Sequence, residues 1–314
     1  MRAAPSCLWP VWRTRTTEGV IALVVFAVAA WVRLRDLDAA MVLSDQIGPW
    51  LRAAANPVNP APHAAPYGWA LHPPYALVQA FSGSLRQAVG GLLVLHALAA
   101  PVAAAALLTR GRRLAALVAG LLVALDAGLV DTALSGSEGY LGPVWVGLMV
   151  AAPSFAPLFL ALGAMNHPLV LCCVPLLVLS DWRSRTVQLS AVLGVLALLP
   201  NLMRWMGGVE GDTAIPLDAL SAWLKLGGPA SWVLLFAPFA ALWTRRRLAL
   251  ATLASAFVLL LAGLWLGYLR DHHIRLLTVP LVLCAVSLRG WWAAVPLLAL
   301  RLPPSNLPGP DKPH

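Results

Sequence analysis

Charge is the scarcest feature of this 314-residue chain: Asp, Glu, Lys and Arg together make 11% of it, with only 13 acidic residues, while 60% of the residues are apolar. A soluble domain carries about 25% charged residues, so this chain has too little polar side chain to cover a water-facing surface. That excludes a soluble enzyme and a disordered chain. Cysteine is scarce as well, and Cys172, Cys173 and Cys284 lie inside apolar runs without metal-ligand spacing, which excludes a secreted disulfide scaffold and leaves them as small buried residues. No internal repeat is visible, so the inverted-repeat pattern of many transporters is missing.

Long apolar runs are abundant. Leu248 to Tyr268 passes without one charge, and such runs across the chain predict a polytopic α-helical membrane protein. The formal net charge of +9 would suggest nucleic acid in a soluble protein. Here the basic residues sit in short clusters between apolar runs and read as topology signals, so no nucleic-acid partner is expected. The clusters are Arg13 and Arg15; Arg110, Arg112 and Arg113; Arg183 and Arg185; Arg245, Arg246 and Arg247; and Arg289. Placing all five in the cytoplasm forces an even number of crossings between neighbours.

Parity then yields a map. Gly19 to Val32 crosses outward as an uncleaved signal anchor, with the N-terminus cytoplasmic, and a long outer loop of about 33–87 follows before Ala88 to Leu108 returns. Leu114 to Val130 crosses outward. The apolar stretch from Tyr140 to Ser180 is too long for one return, and Pro153, Pro157 and Pro168 divide it into three short segments: about Leu141 to Ala152, Ser154 to Met165 and Pro168 to Leu179. A re-entrant hairpin also satisfies parity there. Val187 to Leu199, a second outer loop of about 200–229, Ser231 to Trp243, Leu248 to Tyr268, Leu276 to Leu288 and Trp291 to Leu300 complete an all-α bundle of about 11 spans. Residues 1–302 are expected to form a single transmembrane domain, and the proline-rich tail 303–314 to be disordered. Most acidic residues fall at or beyond the outer surface, with Glu18 and Asp181 near the cytoplasmic face. Acid-base or cationic chemistry therefore belongs to the outer side. Trp9, Trp12, Trp31, Trp50, Trp69, Trp145, Trp182, Trp291 and Trp292 mostly lie near span ends, as an interfacial belt would.

Four local patterns follow one another along the chain. Ser44-Asp45-Gln46 precedes Pro49-Trp50-Leu51-Arg52 after the first span. His72-Pro73-Pro74-Tyr75 leads into the second. Asn166-His167-Pro168 sits at a turn between short helices, and Tyr268-Leu269-Arg270-Asp271-His272-His273-Ile274-Arg275 with Pro280 opens a late inward span. In order and spacing, over most of residues 19–288, this set resembles the GT-C-type membrane glycosyltransferases, the group that includes protein O-mannosyltransferases and aminoarabinose transferases. The chain resembles a short form without the soluble outer domain of many relatives, and Asp45 lacks the adjacent carboxylate common in their first loop.

The resemblance implies a GT-C-like bundle that transfers a sugar, with inversion, from a polyprenyl-phosphate donor to a hydroxyl or amine of an acceptor lipid, glycan or protein at the outer face of the inner membrane. It implies Asp45 as the catalytic carboxylate and general base. Arg275 and Arg270 would hold the lipid phosphate by charge-assisted bonds, with His272, His273, His167, His72 and Glu138 as further substrate-binding candidates. A divalent metal held by Asp45 and Glu138 would serve the same end, although the chemistry does not require one. Other readings stand beside these: Asp45 as a helix cap, Arg275 as an interfacial arginine reaching lipid headgroups, His72 as a turn residue, Glu138 as a helix-start acid, and Asp36 and Asp38 as neutralisers of Arg33 and Arg35. At the level of function, a transporter or flippase for an anionic or lipid-linked substrate and a non-catalytic GT-C-like scaffold are the alternatives.

Overall fold

Apolar runs free of charge can satisfy their backbone inside lipid only as helices or closed barrels, and among the described residues every regular element is a helix. The computed structural model describes residues 9–42, 78, 80–134, 141–205, 216–266 and 271–288. The elements are α1 (Trp9–Leu34), α2 (Leu37–Val42), α3 (Leu85–Ala97), α4 (Ala99–Leu108), α5 (Arg113–Ala124), α6 (Ala127–Leu134), α7 (Gly142–Ala151), α8 (Ala156–Asn166), α9 (Arg185–Trp205), α10 (Pro216–Ala241), α11 (Arg246–Leu266), α12 (Asp271–Ile274) and α13 (Thr278–Ala285). Three 3-10 segments join them: Pro153–Phe155, Pro168–Leu179 and Arg275–Leu277.

Thr16–Leu34, Arg86–Leu108 and Arg246–Leu264 are each long and apolar enough to cross a membrane. Two bent pairs qualify jointly, Arg113–Ala124 with Ala127–Leu134 at 45° and Gly142–Ala151 with Pro153–Asn166 at 117°. By length and composition the described residues thus hold three to five candidate spans, fewer than the 11 expected. Pro168–Leu179, Arg185–Leu198, Ser231–Ala241 and Arg275–Ala285 are shorter apolar helices. Trp291 to Leu300 lies outside the described residues. Part of the stretch expected as a second outer loop is helical, since α9 runs on to Trp205 and α10 begins at Pro216.

The prolines act where the sequence placed them. Pro101 has no N–H for the Ala97 carbonyl, and the ladder is interrupted at Leu98, whose N–H turns to Leu95 O at 3.1 Å. Pro153 reverses the chain after α7, and Pro168 starts the next segment. That segment is a 3-10 helix of 12 residues, far beyond the usual three or four; at ~2.0 Å rise it reaches ~24 Å, where an α-helix of equal length gives ~18 Å. A short sequence therefore covers most of a bilayer core of about 30 Å.

Close contacts fix the relative direction of these pieces. Gly142 lies against Leu276, and Gly147 against Val102 and Val279, so α7 and α13 run side by side in the same sense. At the far end of α7, Ser180 donates to Pro153 O at 2.7 Å. Beyond α13, Arg112 donates to Val286 O at 3.1 Å, and Arg113 lies 3.9 Å from Glu18. Arg110 is close enough to Arg245 and Arg112 that burial first, then these two cations, hold its pKa below the ordinary arginine value. The described arginine clusters therefore gather at one end of the bundle. Asp36, Asp38, Arg86 and Asn166 lie toward the other.

Glycine lets the helices approach: a Cβ at Gly120 would stand 2.6 Å from Val25 of α1, and one at Gly194 only 2.8 Å from the Pro157 carbonyl. The buried core runs through α4, α5, α7 and α13. Leu189, Val192, Val195 and Leu196 of α9, with Phe257, Leu261 and Leu264 of α11, are exposed, an apolar exterior compatible with a membrane location.

Candidate functional site

A break inside a span leaves backbone groups without partners, and the break between α5 and α6 gathers the principal charged residues of the interior. Asp126 caps α6 by accepting from Leu129 N at 2.8 Å, and Thr132 donates to Gly128 O at 2.8 Å. At the end of α5 the Ala124 carbonyl accepts from Arg33 Nη1 at 3.1 Å. Each end of the interrupted helix is thus closed by a side chain.

Arg33 is fully buried on α1. Its Nη1 also donates to Ala29 O at 3.0 Å, and its Nε donates to His96 Nδ1 on α3 at 2.9 Å. A donor on Nδ1 leaves the His96 proton on Nε2. Asp126 exerts the principal attractive charge on Arg33. On the other side of Asp126, Arg275 Nη1 stands 3.9 Å from Asp126 Oδ1. Arg275 is 2% exposed and fits because position 128 is glycine: a Cβ there would overlap the guanidinium.

Two residues before Arg275, the His273 ring lies against that of His167 in a tilted arrangement, centroids 4.9 Å apart and 33° between planes. His167 caps the 3-10 segment through Leu169 N, donated to its Nδ1 at 3.2 Å. Neighbouring Asn166 is buried, and its Oδ1 has no hydrogen-bond partner among the described residues. The buried interior thus holds three linked pairs, Arg33 with His96, Arg275 with Asp126, and His273 with His167, all buried. Arg33 lies fifteen residues beyond Glu18 on α1, so at 1.5 Å per residue it stands ~22 Å from the arginine-rich end. If α1 spans a membrane from Glu18 onward, that distance corresponds to the far third of a ~30 Å hydrocarbon core. Ionisable side chains at such depth are costly and mark functional sites by default.

Of the residues expected at the site, the structure brings His273 and His167 together, and places Arg275, two residues after His273, against Asp126. His272 falls on α12 with only its backbone described. Asp45, His72, Glu138 and Arg270 lie outside the described residues. The neutralising role expected for Asp36 and Asp38 holds for Arg35, which pairs with Asp36 at 3.0 Å, and not for Arg33: Asp38 pairs with Arg86 at 2.6 Å and Arg33 turns inward to His96. Among the described residues no group of three His, Cys, Asp or Glu side chains is arranged to hold a metal.

Arg33, His96 and Asp126 were missed by sequence reasoning. The available signal was their position, since each is a single ionisable residue within or at the edge of an apolar run: Arg33 beside Gly19 to Val32, His96 in Ala88 to Leu108, and Asp126 in Leu114 to Val130. No family model, no curated protein and no solved structure matches the chain.

Proposed function

We propose that the chain is a multi-pass inner-membrane glycosyltransferase of the GT-C type, with its N-terminus in the cytoplasm, that transfers a sugar from a polyprenyl phosphate on the outer face. The observation that carries the reading is the buried contact of His273 with His167, which draws two of the four sequence patterns together, with Arg275 buried two residues after His273. The orientation rests on the arginine-rich end, which the positive-inside bias assigns to the cytoplasm. The bundle completes about 11 crossings when the short apolar helices cross as thinned or cavity-lining segments.

In this reaction the acceptor hydroxyl attacks the anomeric carbon from the face opposite the phosphate. Asp45 takes the hydroxyl proton, the bond between that carbon and the phosphate oxygen breaks, and polyprenyl phosphate leaves with the electron pair. A guanidinium in poorly hydrated surroundings stabilises the charge that grows on the leaving oxygen. Arg275 supplies it, with His273 and His167 as neighbouring donors. Asp45 follows α2 by three residues, and α2 packs on α3 and α6, the helices of His96 and of the Asp126 cap.

The test is transfer of radiolabelled sugar from polyprenyl-phosphate donors to a membrane-lysate acceptor pool, with wild type, Asp45→Asn and Arg275→Lys at matched membrane expression. Donor-dependent labelling that Asp45→Asn abolishes and Arg275→Lys reduces supports the transferase. Labelling retained by Asp45→Asn removes Asp45 as base, and absence of labelling by wild type with every donor removes the activity.

A second reading has an observation of its own. The 117° reversal between α7 and the segment Pro153–Asn166, beside buried cations and histidines, also suits a transporter or flippase for an anionic or lipid-linked substrate. Donor lipid that changes leaflet in proteoliposomes without sugar transfer would decide for it.

A further inference from the structure

The exposed side chains of α9 and α11 are mainly aliphatic, whereas α10 carries a row of exposed rings. Leu234, Ala237 and Ala241 face the core, and on the opposite side Trp232, Phe236, Phe239 and, in the turn after the helix, Trp243 are exposed. Their spacing of 4, 3 and 4 residues is that of one helical face. Trp232 and Phe236 are stacked, with ring centroids 6.3 Å apart and 15° between planes. At 1.5 Å per residue the row is ~16 Å long, about one leaflet of a ~30 Å hydrocarbon core.

The row ends at arginine. Arg245, Arg246 and Arg247 follow Trp243, and Arg110 and Arg112, in the turn between α4 and α5, lie close enough for Arg245 and Arg112 to act with burial in lowering the Arg110 pKa. Arg110 Nη1 donates to Ala106 O at 3.0 Å and Arg112 Nη2 to Val286 O at 3.1 Å, so helix-end carbonyls fix both guanidiniums in place. Between them Gly111, at φ 69°, makes a turn that other residues adopt only with strain. The described carboxylates of this end serve other groups: Glu18 lies 3.9 Å from Arg113, and Asp181 accepts from Arg183 N at 3.2 Å.

We propose that the aromatic row and the arginines at its foot bind one anionic phospholipid, with an acyl chain along Trp232, Phe236 and Phe239 and the phosphate against Arg110, Arg112 and Arg245. The site lies on the outside of the bundle, at the end away from Asn166. It goes beyond the transferase reading and does not depend on it.

Charge and shape select the occupant. Guanidiniums gathered without an acid attract a phosphate diester, and a choline or ethanolamine headgroup would bring a cation back among them. A soluble anion has no use for the row of rings, whereas indoles beside cations are the composition of the headgroup boundary.

The test uses the purified full chain in nanodiscs, with phosphatidylglycerol carrying brominated acyl chains as probe, brominated phosphatidylcholine as reference, and quenching of tryptophan fluorescence as the readout. Wild type should prefer phosphatidylglycerol about tenfold, and Arg110→Gln with Arg245→Gln should reduce the preference to about twofold. The matched control is Arg183→Gln with Arg185→Gln, which removes the same charge from the same end but beside α9, a helix packed on α8 and Pro153–Phe155. It should keep the full preference. Trp243→Phe should remove most of the quenching specific to phosphatidylglycerol, which places the lipid at the row. Size exclusion and thermal unfolding confirm that each variant is folded; should the first pair fail there, Arg245→Gln alone carries the test, with a preference of about fourfold. An equal loss in the control pair would reduce the attraction to the general charge of this end and overturn the site. So would quenching unchanged by Trp243→Phe, and displacement of the probe by millimolar glycerol phosphate would overturn the lipid as its occupant.

Discussion

Replacing Gly128 by alanine tests the geometry of the buried charges with a sign that helix propensity contradicts. Gly128 lies in the first turn of α6, where alanine ordinarily stabilises a helix by about 0.5–1 kcal/mol. Here the new Cβ would overlap the Arg275 guanidinium, which is 2% exposed. Overpacking of this kind costs roughly 1–3 kcal/mol. If the guanidinium swings away, Asp126 loses a partner, and breaking a buried pair costs roughly 3–5 kcal/mol. The cheaper route decides the outcome, and after the propensity gain is subtracted Gly128→Ala should still destabilise, by up to about 2 kcal/mol. Gly90→Ala on α3 is the matched control, because the nearest atom to its Cβ would be Leu34 Cδ2 at an ordinary 3.9 Å, and it should be neutral or stabilising. The assay is SDS-driven unfolding in mixed micelles, read as a double-mutant cycle with Arg275→Ala. In the Arg275→Ala background the obstacle is gone and Gly128→Ala should stabilise by its propensity alone. A Gly128→Ala protein as stable as the Gly90→Ala control, or a penalty that persists without Arg275, would refute the arrangement.

The remaining predictions concern packing and sidedness. Gly194→Ala sets a Cβ 2.8 Å from the Pro157 carbonyl oxygen and 3.3 Å from its carbon; backbone cannot turn aside, so the α8–α9 contact should loosen by roughly 1–3 kcal/mol in the same unfolding assay. Ser180→Ala removes the 2.7 Å bond to Pro153 O that ties the end of the 3-10 segment to the α7 reversal, and should cost about 1 kcal/mol. Phe81 and Trp243 are 84% and 85% exposed toward opposite ends of the bundle. In a Cys7→Ser background, an impermeant maleimide should label Phe81→Cys on intact spheroplasts and Trp243→Cys only after the membrane is opened; the reverse order would invert the topology.

The helices themselves were legible because arginine and proline punctuate the chain. Pro153 and Pro168 divide the stretch from Tyr140 to Ser180 as expected, with α7, the segment Pro153–Asn166 and Pro168–Leu179 ending within about a residue of the sequence boundaries. The 117° reversal adds that the first two form a hairpin. Hydropathy could not reveal that the third is a 3-10 helix, since composition does not encode rise per residue. The site was half legible. His167, His273 and Arg275 belong to local patterns, whereas Arg33 meets His96 and Ala124 across 63 and 91 residues. Nearness in sequence pointed Arg33 to Asp36. Helical geometry points it elsewhere, because α1 ends at Leu34 and a side chain on its last turn lies back over the preceding turn, where Ala29 and His96 receive it.

Much of this buried charge has a structural duty. Interrupting a helix within a span strands carbonyls on one side and N–H groups on the other, and lipid offers them no water. Arg33 Nη1 answers the Ala124 carbonyl and Asp126 answers the Leu129 N–H, so one cation and one anion are accounted for by the break itself. Arg275 is not accounted for in that way. It brings a second positive charge to a carboxylate already matched, through a gap that only glycine at position 128 leaves open. A neutral side chain in its place would complete the packing at lower electrostatic cost. That second cation sits two residues after His273, whose ring faces His167 with centroids 4.9 Å apart, so the two local patterns meet next to the break without the break itself requiring it.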